Sequence, residues 1–189
     1  MRKINKLVRE QEVKIDQSQA GSFQIPIGGA GQIEAFGPFL SRGTGQTERI
    51  GSAMRLKSLS MRIGIDCTAI EATGCQVRLI IGYDRDPNGA APGVTDVLQD
   101  DSLISNYNTG NDAGRFQIIG DRTITFDATQ TQWSDKLFYA KNVKLKYQLG
   151  NAGTVADMNR GAFFIIGQAS NNAAAINIAY GFIFRLFDD

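Results

Sequence analysis

The chain has 189 residues, 42% hydrophobic and 21% charged, enough to bury the core of one ordinary domain. It contains no histidine, which removes histidine-based triads and His-ligated metal centres, and its two cysteines are too few for a four-ligand zinc site or a multi-disulfide scaffold. No apolar run approaches the ~20 residues of a membrane span, and the charged N-terminus lacks a secretory apolar region.

The net charge is only +1, so its distribution carries the information. Arg2, Lys3, Lys6 and Arg9 stand at the start without an acid between them. Ile4, Leu7, Val8, Gln11 and Ile15 share a helical stripe beside these cations, which predicts a short N-terminal helix. Such a helix is marginal alone and needs a partner surface or a nucleic acid. Residues 17–21 read as a linker.

The rest alternates with period two, and eight strands are predicted. The first, residues 23–35, is broken. Residues 54–67 place Leu59, Met61, Ile63, Ile65 and Cys67 on one face, with Ser58, Ser60, Arg62 and Asp66 on the other. Residues 75–83 turn Cys75, Val77, Leu79, Ile81 and Tyr83 inward. A long loop then holds a short helix over Val94–Asp100, followed by Leu103 and Ile104. Residues 115–127 form a long strand bent at Gly120, and 136–141 and 143–148 form two short ones. Residues 162–168 are apolar on both faces, as a central strand would be. Residues 175–187 alternate Ile176, Ile178, Tyr180, Phe182, Phe184 and Leu186 on one face.

The gaps are rich in Gly, Asn, Asp and Pro, which supply turn conformations. Eight strands with long connections indicate two packed antiparallel sheets. Cys67 and Cys75 close one predicted strand and open the next. Burial as two small apolar side chains and a disulfide across the intervening turn both fit. Trp133 and Phe138 fit either a core or an interface. No nucleophile or acid–base pair is set beside an activating partner, so the chain reads as non-enzymatic.

The stretch from Val77 to Asp127 resembles the central segment of small single jelly-roll viral capsid proteins. It is similar to the satellite tobacco necrosis virus coat protein and to the capsid proteins of circular Rep-encoding single-stranded DNA viruses. The order of features carries this resemblance: a strand ending Tyr83-Asp84, a loop with Asn88, Gly89 and Pro92, a short helix ending Val97-Leu98, an Asn-rich turn, and Arg115-Phe116 opening a strand that reaches Asp121-Arg122. Upstream, residues 43–63 resemble the basic segment leading into the family's long strand, and the first fourteen residues its basic helical arm. Such proteins commonly carry an Arg/Lys-rich tail ahead of that arm, whereas this sequence opens at the arm.

The resemblance implies an all-β, eight-stranded antiparallel jelly-roll sandwich over residues 21–189, with residues 1–20 as a basic arm and one short helix between strands three and four. It implies a virion component without membrane insertion, assembling with itself into a T=1 shell of about sixty copies around viral single-stranded nucleic acid. Arg2, Lys3, Lys6, Arg9, Lys14, Arg42, Arg49, Arg55 and Lys57 are the expected phosphate contacts, acting by charge neutralisation without base reading. Arg62 belongs to the same basic segment. No cofactor is expected. Calcium shared between subunits is the one metal implied, with Glu48, Asp84, Asp86 and Asp157 as candidate carboxylates beside their plainer reading as turn residues. The competing expectation is a soluble ligand-binding sandwich, such as a lectin or a trimeric signalling jelly roll.

Overall fold

The computed structural model of the chain describes residues 13–16, 20–67, 74–110, 114–148, 150, 152–170 and 175–188. Its strands are β1 (Val13–Asp16), β2 (Gly21–Ile25), β3 (Gln32–Phe36), β4 (Ala53–Asp66), β5 (Cys75–Asp84), β6 (Phe116–Phe126), β7 (Gln132–Tyr139), β8 (Val143–Tyr147), β9 (Met158–Arg160), β10 (Ala162–Ala169) and β11 (Ile176–Asp188). A single helical turn, α1 (Val94–Val97), lies between β5 and β6.

These segments make two antiparallel sheets. In the first, β11 and β4 are central. β1 and β2 follow one another along the free edge of β11, and β7 and β8 along the free edge of β4, with β9 outside β8. The second sheet runs β3-β10-β5-β6. Treated as lines, β1/β2 pairs with β11, β3 with β10, β4 with β7/β8, and β5 with β6. The first line meets the last, the second the next to last, and so inward. This is one long antiparallel ribbon rolled on itself, the jelly roll. The pairs β4–β11 and β5–β10 close the roll.

Several sequence expectations are corrected. The predicted strand 23–35 is two strands in opposite sheets, because Pro26 and two positive-φ glycines, Gly28 and Gly29, turn the chain between them. The two predicted strands 136–141 and 143–148 lie along one edge of β4, and β7 begins earlier, at Gln132. The strand β9 was not foreseen. It leaves the first sheet at Gly161, whose φ of +97 turns the chain into β10 of the second. A side chain at Gly161 would also run into Leu145. The helix is one turn, not 94–100, because Leu98 leaves it to bridge Tyr107. Ile15 sits in a strand paired with β11 rather than in a helix, so the first sheet begins inside the expected arm. The helix predicted over the first residues otherwise lies outside the described residues.

The main core fills the space between the sheets. Leu59, Met61, Ile63 and Ile65 from β4 face Val77, Leu79 and Ile81 from β5, while Phe36, Phe163 and Phe184 form its aromatic centre. Cys67 and Cys75 are buried here as free thiols, and burial raises the Cys67 pKa to about 12. A second, smaller core lies on the outer side of the four-stranded sheet. There Ile80, Phe164 and Ile166 are covered by Val97 and Leu98 of the long loop. This explains why β10 is apolar on both faces: its odd residues enter one core and its even residues the other.

Three side chains clamp that loop. Arg78 donates from Nη1 to the carbonyls of Leu103 (3.1 Å) and Ser105 (2.6 Å), and from Nε and Nη2 to both oxygens of Asp121 (3.0 and 2.7 Å). Tyr107 donates its hydroxyl to the same carboxylate. The Arg78 hydrogen bond holds the Asp121 carboxyl below its ordinary value, and burial first, then Asp121, pushes Tyr107 up to about 12.

Candidate nucleic-acid interface

The first sheet leaves its outer face uncovered by the described chain. Strict alternation decides what that face carries. On β7, Tyr139 and Leu137 turn into the core, so Phe138, Lys136, Ser134 and Gln132 turn out. On β8, Leu145 and Tyr147 are buried, which leaves Lys144 and Lys146 outside. On β4, Met54 and Leu56 go in and Arg55 goes out. A bulge then inserts Lys57, because Leu56 pairs with Leu186 and Ser58 with Arg185. After the bulge, Ser60, Arg62, Gly64 and Asp66 face outward.

Register places these cations beside one another. Arg62 stands directly opposite Lys136 and Arg55 directly opposite Lys144, while Lys146 is opposite Ala53. Arg185 lies on the same face of β11. Like charges directly across a ladder destabilise a sheet, so two such pairs on one face run against isolated stability. Asp66, at the far end, is the acid that the outward positions of these strands carry among the described residues.

Two hollows mark the face. Residues 140–142, where β7 gives way to β8, open a depression of about 420 Å³ lined by Arg55, Lys57, Lys141, Asn142 and the Phe187 ring, with no acid in its wall. The Lys57 ammonium sits 5.3 Å from the Phe187 ring centre and that of Lys141 5.8 Å from the Tyr139 ring centre. At the other end, the small residues Gly64, Ser134 and Ala179 leave a hollow of about 390 Å³ edged by Asp66, Gln132 and Asn177. A cationic depression with rings beside it suits a polyanion: ammonium and guanidinium groups neutralise phosphates and release counterions.

Of the expected contacts, Arg55 and Lys57 are on this face. Arg42 is exposed on the loop between β3 and β4. Arg49 is not available to a ligand. It is fully buried, its Nε, Nη1 and Nη2 donate to the carbonyls of Leu40, Gly51 and Gly150 at 3.0, 2.7 and 2.8 Å, and its guanidinium lies 4.4 Å over the Tyr147 ring. Burial lowers its pKa and raises that of Tyr147, whose hydroxyl donates to the Pro38 carbonyl at 2.7 Å. Lys14 is buried as well, its ammonium donating to the Gly45 carbonyl at 3.0 Å. Both are internal fasteners of the β3–β4 loop. Arg2, Lys3, Lys6 and Arg9 lie outside the described residues.

The expected cation ligands separate in the same way. Asp84 is buried in a bidentate pair with Arg115 (3.0 and 2.9 Å), and Asp157 is buried with its carboxylate accepting the Gly153 amide at 2.6 Å. Both Asp84 oxygens and one oxygen of Asp157 are engaged within the subunit. Glu48 accepts the Gly45 amide at 2.7 Å, and Asp86 is exposed. Among the described residues no group of three or more acids or cysteines is placed to hold a metal ion. The Asp84–Arg115 pair also accounts for two features of the resemblance, Tyr83-Asp84 and Arg115-Phe116, as one ion pair with Phe116 edge-on to Phe164.

Lys136, Lys141, Lys144, Lys146 and Arg185 were not singled out from sequence. The signal was present in Val143–Tyr147, where two lysines alternate with three core residues. Trp133 turns inward against the main core, while Phe138 is an exposed ring.

Residues 24–185 match the sequence model of a family described as Satellite tobacco necrosis virus coat protein. The coat protein of Maize white line mosaic Satellite virus is 27% identical over 131 residues, covering 69% of this chain and 60% of that relative's length. Among solved structures, one of sacbrood virus of honeybee is similar over 95% of this chain and 87% of its own, at 14% identity and a TM-score of 0.44. One of broad bean stain virus is similar over 94% of this chain and 44% of its own, at 12% identity and a TM-score of 0.41.

Proposed function

Because the chain belongs to the satellite tobacco necrosis virus coat protein family, we propose that it is a structural subunit that closes with copies of itself into a small shell around a viral nucleic acid. The outer face of the seven-stranded sheet meets the packaged strand. The observation that carries this is the alignment of Arg62 with Lys136 and of Arg55 with Lys144 across the ladder. Like charges aligned across a ladder cost a free sheet stability and become favourable against a polyanion.

The wedge of two sheets supplies the flanks for contacts between copies, and the closed T=1 arrangement of about sixty subunits is the assembly proposed. Phosphate neutralisation without base reading lets one surface hold any sequence of a genome. Arg2, Lys3, Lys6 and Arg9 add charge in the same sense. The subunit has a structural role, and no catalytic step is assigned to it.

Native mass measured together with the ratio of absorbance at 260 and 280 nm tests both halves. The expected result is a particle above a megadalton with excess absorbance at 260 nm. The Arg62→Glu/Lys136→Glu variant keeps the particle and loses most of that excess. A chain that stays between monomer and tetramer at every pH, salt and calcium concentration overturns the shell and leaves the ligand-binding sandwich. A variant particle as rich in nucleic acid as the wild type overturns the assigned face.

A further inference from the structure

We infer that Phe138 is a stacking platform for unpaired bases, so that the basic face selects single-stranded nucleic acid over duplex. This rests on the reading of that face as a polyanion surface and adds the class of strand it takes.

Phe138 is 64% exposed in the middle of β7, held outward by the burial of Tyr139 on one side and the packing of Leu137 on the other. A strand residue cannot turn its ring inward without a register slip that would expel both neighbours from the core. Directly across the ladder stands Ser60, a side chain too short to cover the ring. The diagonal neighbour on β4 is Arg62, and the next outward residue of β7 is Lys136, which faces Arg62. The ring is therefore bare and bordered by two cations.

The combination suits one kind of ligand. A duplex offers phosphates to Arg62 and Lys136 but keeps its base faces stacked away from Phe138. An unpaired strand offers both phosphates and base faces, and every base has a face to stack, so the contact is tolerant of sequence. A second ring on this face, the half-buried Phe187, also lies beside a cation, Lys57, in the hollow next to Arg55. Rings interleaved with cations across a sheet form a surface for single strands. Neither the ring nor the cations distinguish the backbone sugar, so RNA and DNA strands are both ligands.

The test uses the full chain as wild type, Phe138→Ala, Phe138→Tyr and Arg62→Gln/Lys136→Gln, with the native mass of each recorded. Binding is followed by anisotropy of labelled oligo-U, oligo-dT and a duplex, each of roughly 20 nucleotides per strand, with inorganic polyphosphate as competitor. Phe138→Ala is expected to bind oligo-U and oligo-dT about 5- to 100-fold more weakly while its duplex and polyphosphate affinities stay within about twofold. Phe138→Tyr restores single-strand binding, and the double variant weakens all four ligands. Loss of only the oligo-U or only the oligo-dT affinity in Phe138→Ala supports the platform and names the strand.

Equal single-strand affinity for Phe138→Ala and wild type overturns the inference. So does an equal loss for single strand and duplex, or a changed native mass with unchanged binding per subunit, which would make the ring a contact between copies. If Phe138→Ala is silent while the double variant is weak, this inference alone fails. If the double variant is also silent, or the wild type binds none of the four ligands, the polyanion face fails with it.

Discussion

The two sheets of this roll have the same core between them and opposite outer faces. The four-stranded sheet turns out Ile80, Phe164 and Ile166, and Val94, Val97, Leu98 and Tyr107 of the long loop cover them. The seven-stranded sheet turns out Arg55, Arg62, Lys136, Lys144 and Lys146 together with the exposed ring of Phe138. The apolar area of the first face is buried within the molecule, whereas the second aligns like charges across its ladder and is the face proposed to meet a polyanion. The two phenylalanines state the contrast in one residue type: Phe164 is completely buried and Phe138 is 64% exposed.

The sharpest way to break the comparison is to truncate both rings. Phe164→Ala removes a side chain packed beneath the loop and edge-on to Phe116 at 5.8 Å. It should cost about 3–5 kcal/mol, measured by urea unfolding. Phe138→Ala should change stability by no more than about 0.5 kcal/mol, as for other exposed positions. Equal costs would mean that the exposed face is covered in solution and that the two sheets are not functionally distinct.

A smaller effect separates the loop's polar clamp from its apolar one. Arg78→Met leaves the Leu103 and Ser105 carbonyls and the Asp121 carboxylate without their cation, at a cost of about 1.5–3 kcal/mol. It should also change the pH dependence. Asp121 is held below its ordinary value of 3.8 mainly by its hydrogen bond from Arg78. Its contribution is therefore complete above that value and is lost as pH falls through the depressed one. Amide exchange across residues 94–107, taken relative to the intrinsic rate at each pH, should accelerate on acidification below about pH 4 in the wild type. In Arg78→Met it should be fast already and change little with acid. A wild-type loop equally protected on both sides of that range would remove the clamp from the account.

The covered face was legible in the sequence and the bare one only partly. The run Ala162–Gln168 reads as a strand buried on both sides because every residue before Gly167 is apolar, and a long loop beside it supplies the cover. The alternation of β4 and β11 gave the apolar face of each and put Arg62 on the opposite face of β4, but not that the two strands pair. Cation pairing, however, depends on which residue of β7 or β8 meets which residue of β4, and register across a non-local ladder has no local signature. Lys136 and Lys144 acquire their meaning only there. The buried cations failed for a related reason. Arg49 and Lys14 look like their exposed neighbours in sequence, because what buries them is carbonyls of distant loops, Gly150 and Gly45. The strand divisions differ as well: one predicted strand is β2 and β3 in opposite sheets, and two predicted strands lie along one edge of β4 as β7 and β8.

The smallest effect is the one that tests why the bare face is bare. Arg62 and Lys136 oppose each other on neighbouring strands, so neutralising either should remove a repulsion that the free subunit carries. Lys136→Gln should stabilise the isolated chain by about 0.2–1 kcal/mol at low salt, with the gain fading as ionic strength rises. The same substitution should weaken a bound polyanion and flatten its salt dependence, by roughly 0.7 in the slope for a single strand. The opposite signs are the point. A residue kept for folding costs stability when removed, and one kept for a partner releases it. Urea unfolding of wild type and Lys136→Gln at two salt concentrations decides between them. A loss of stability on neutralisation would mean that the cation serves the fold, and that the two faces differ in degree of burial alone.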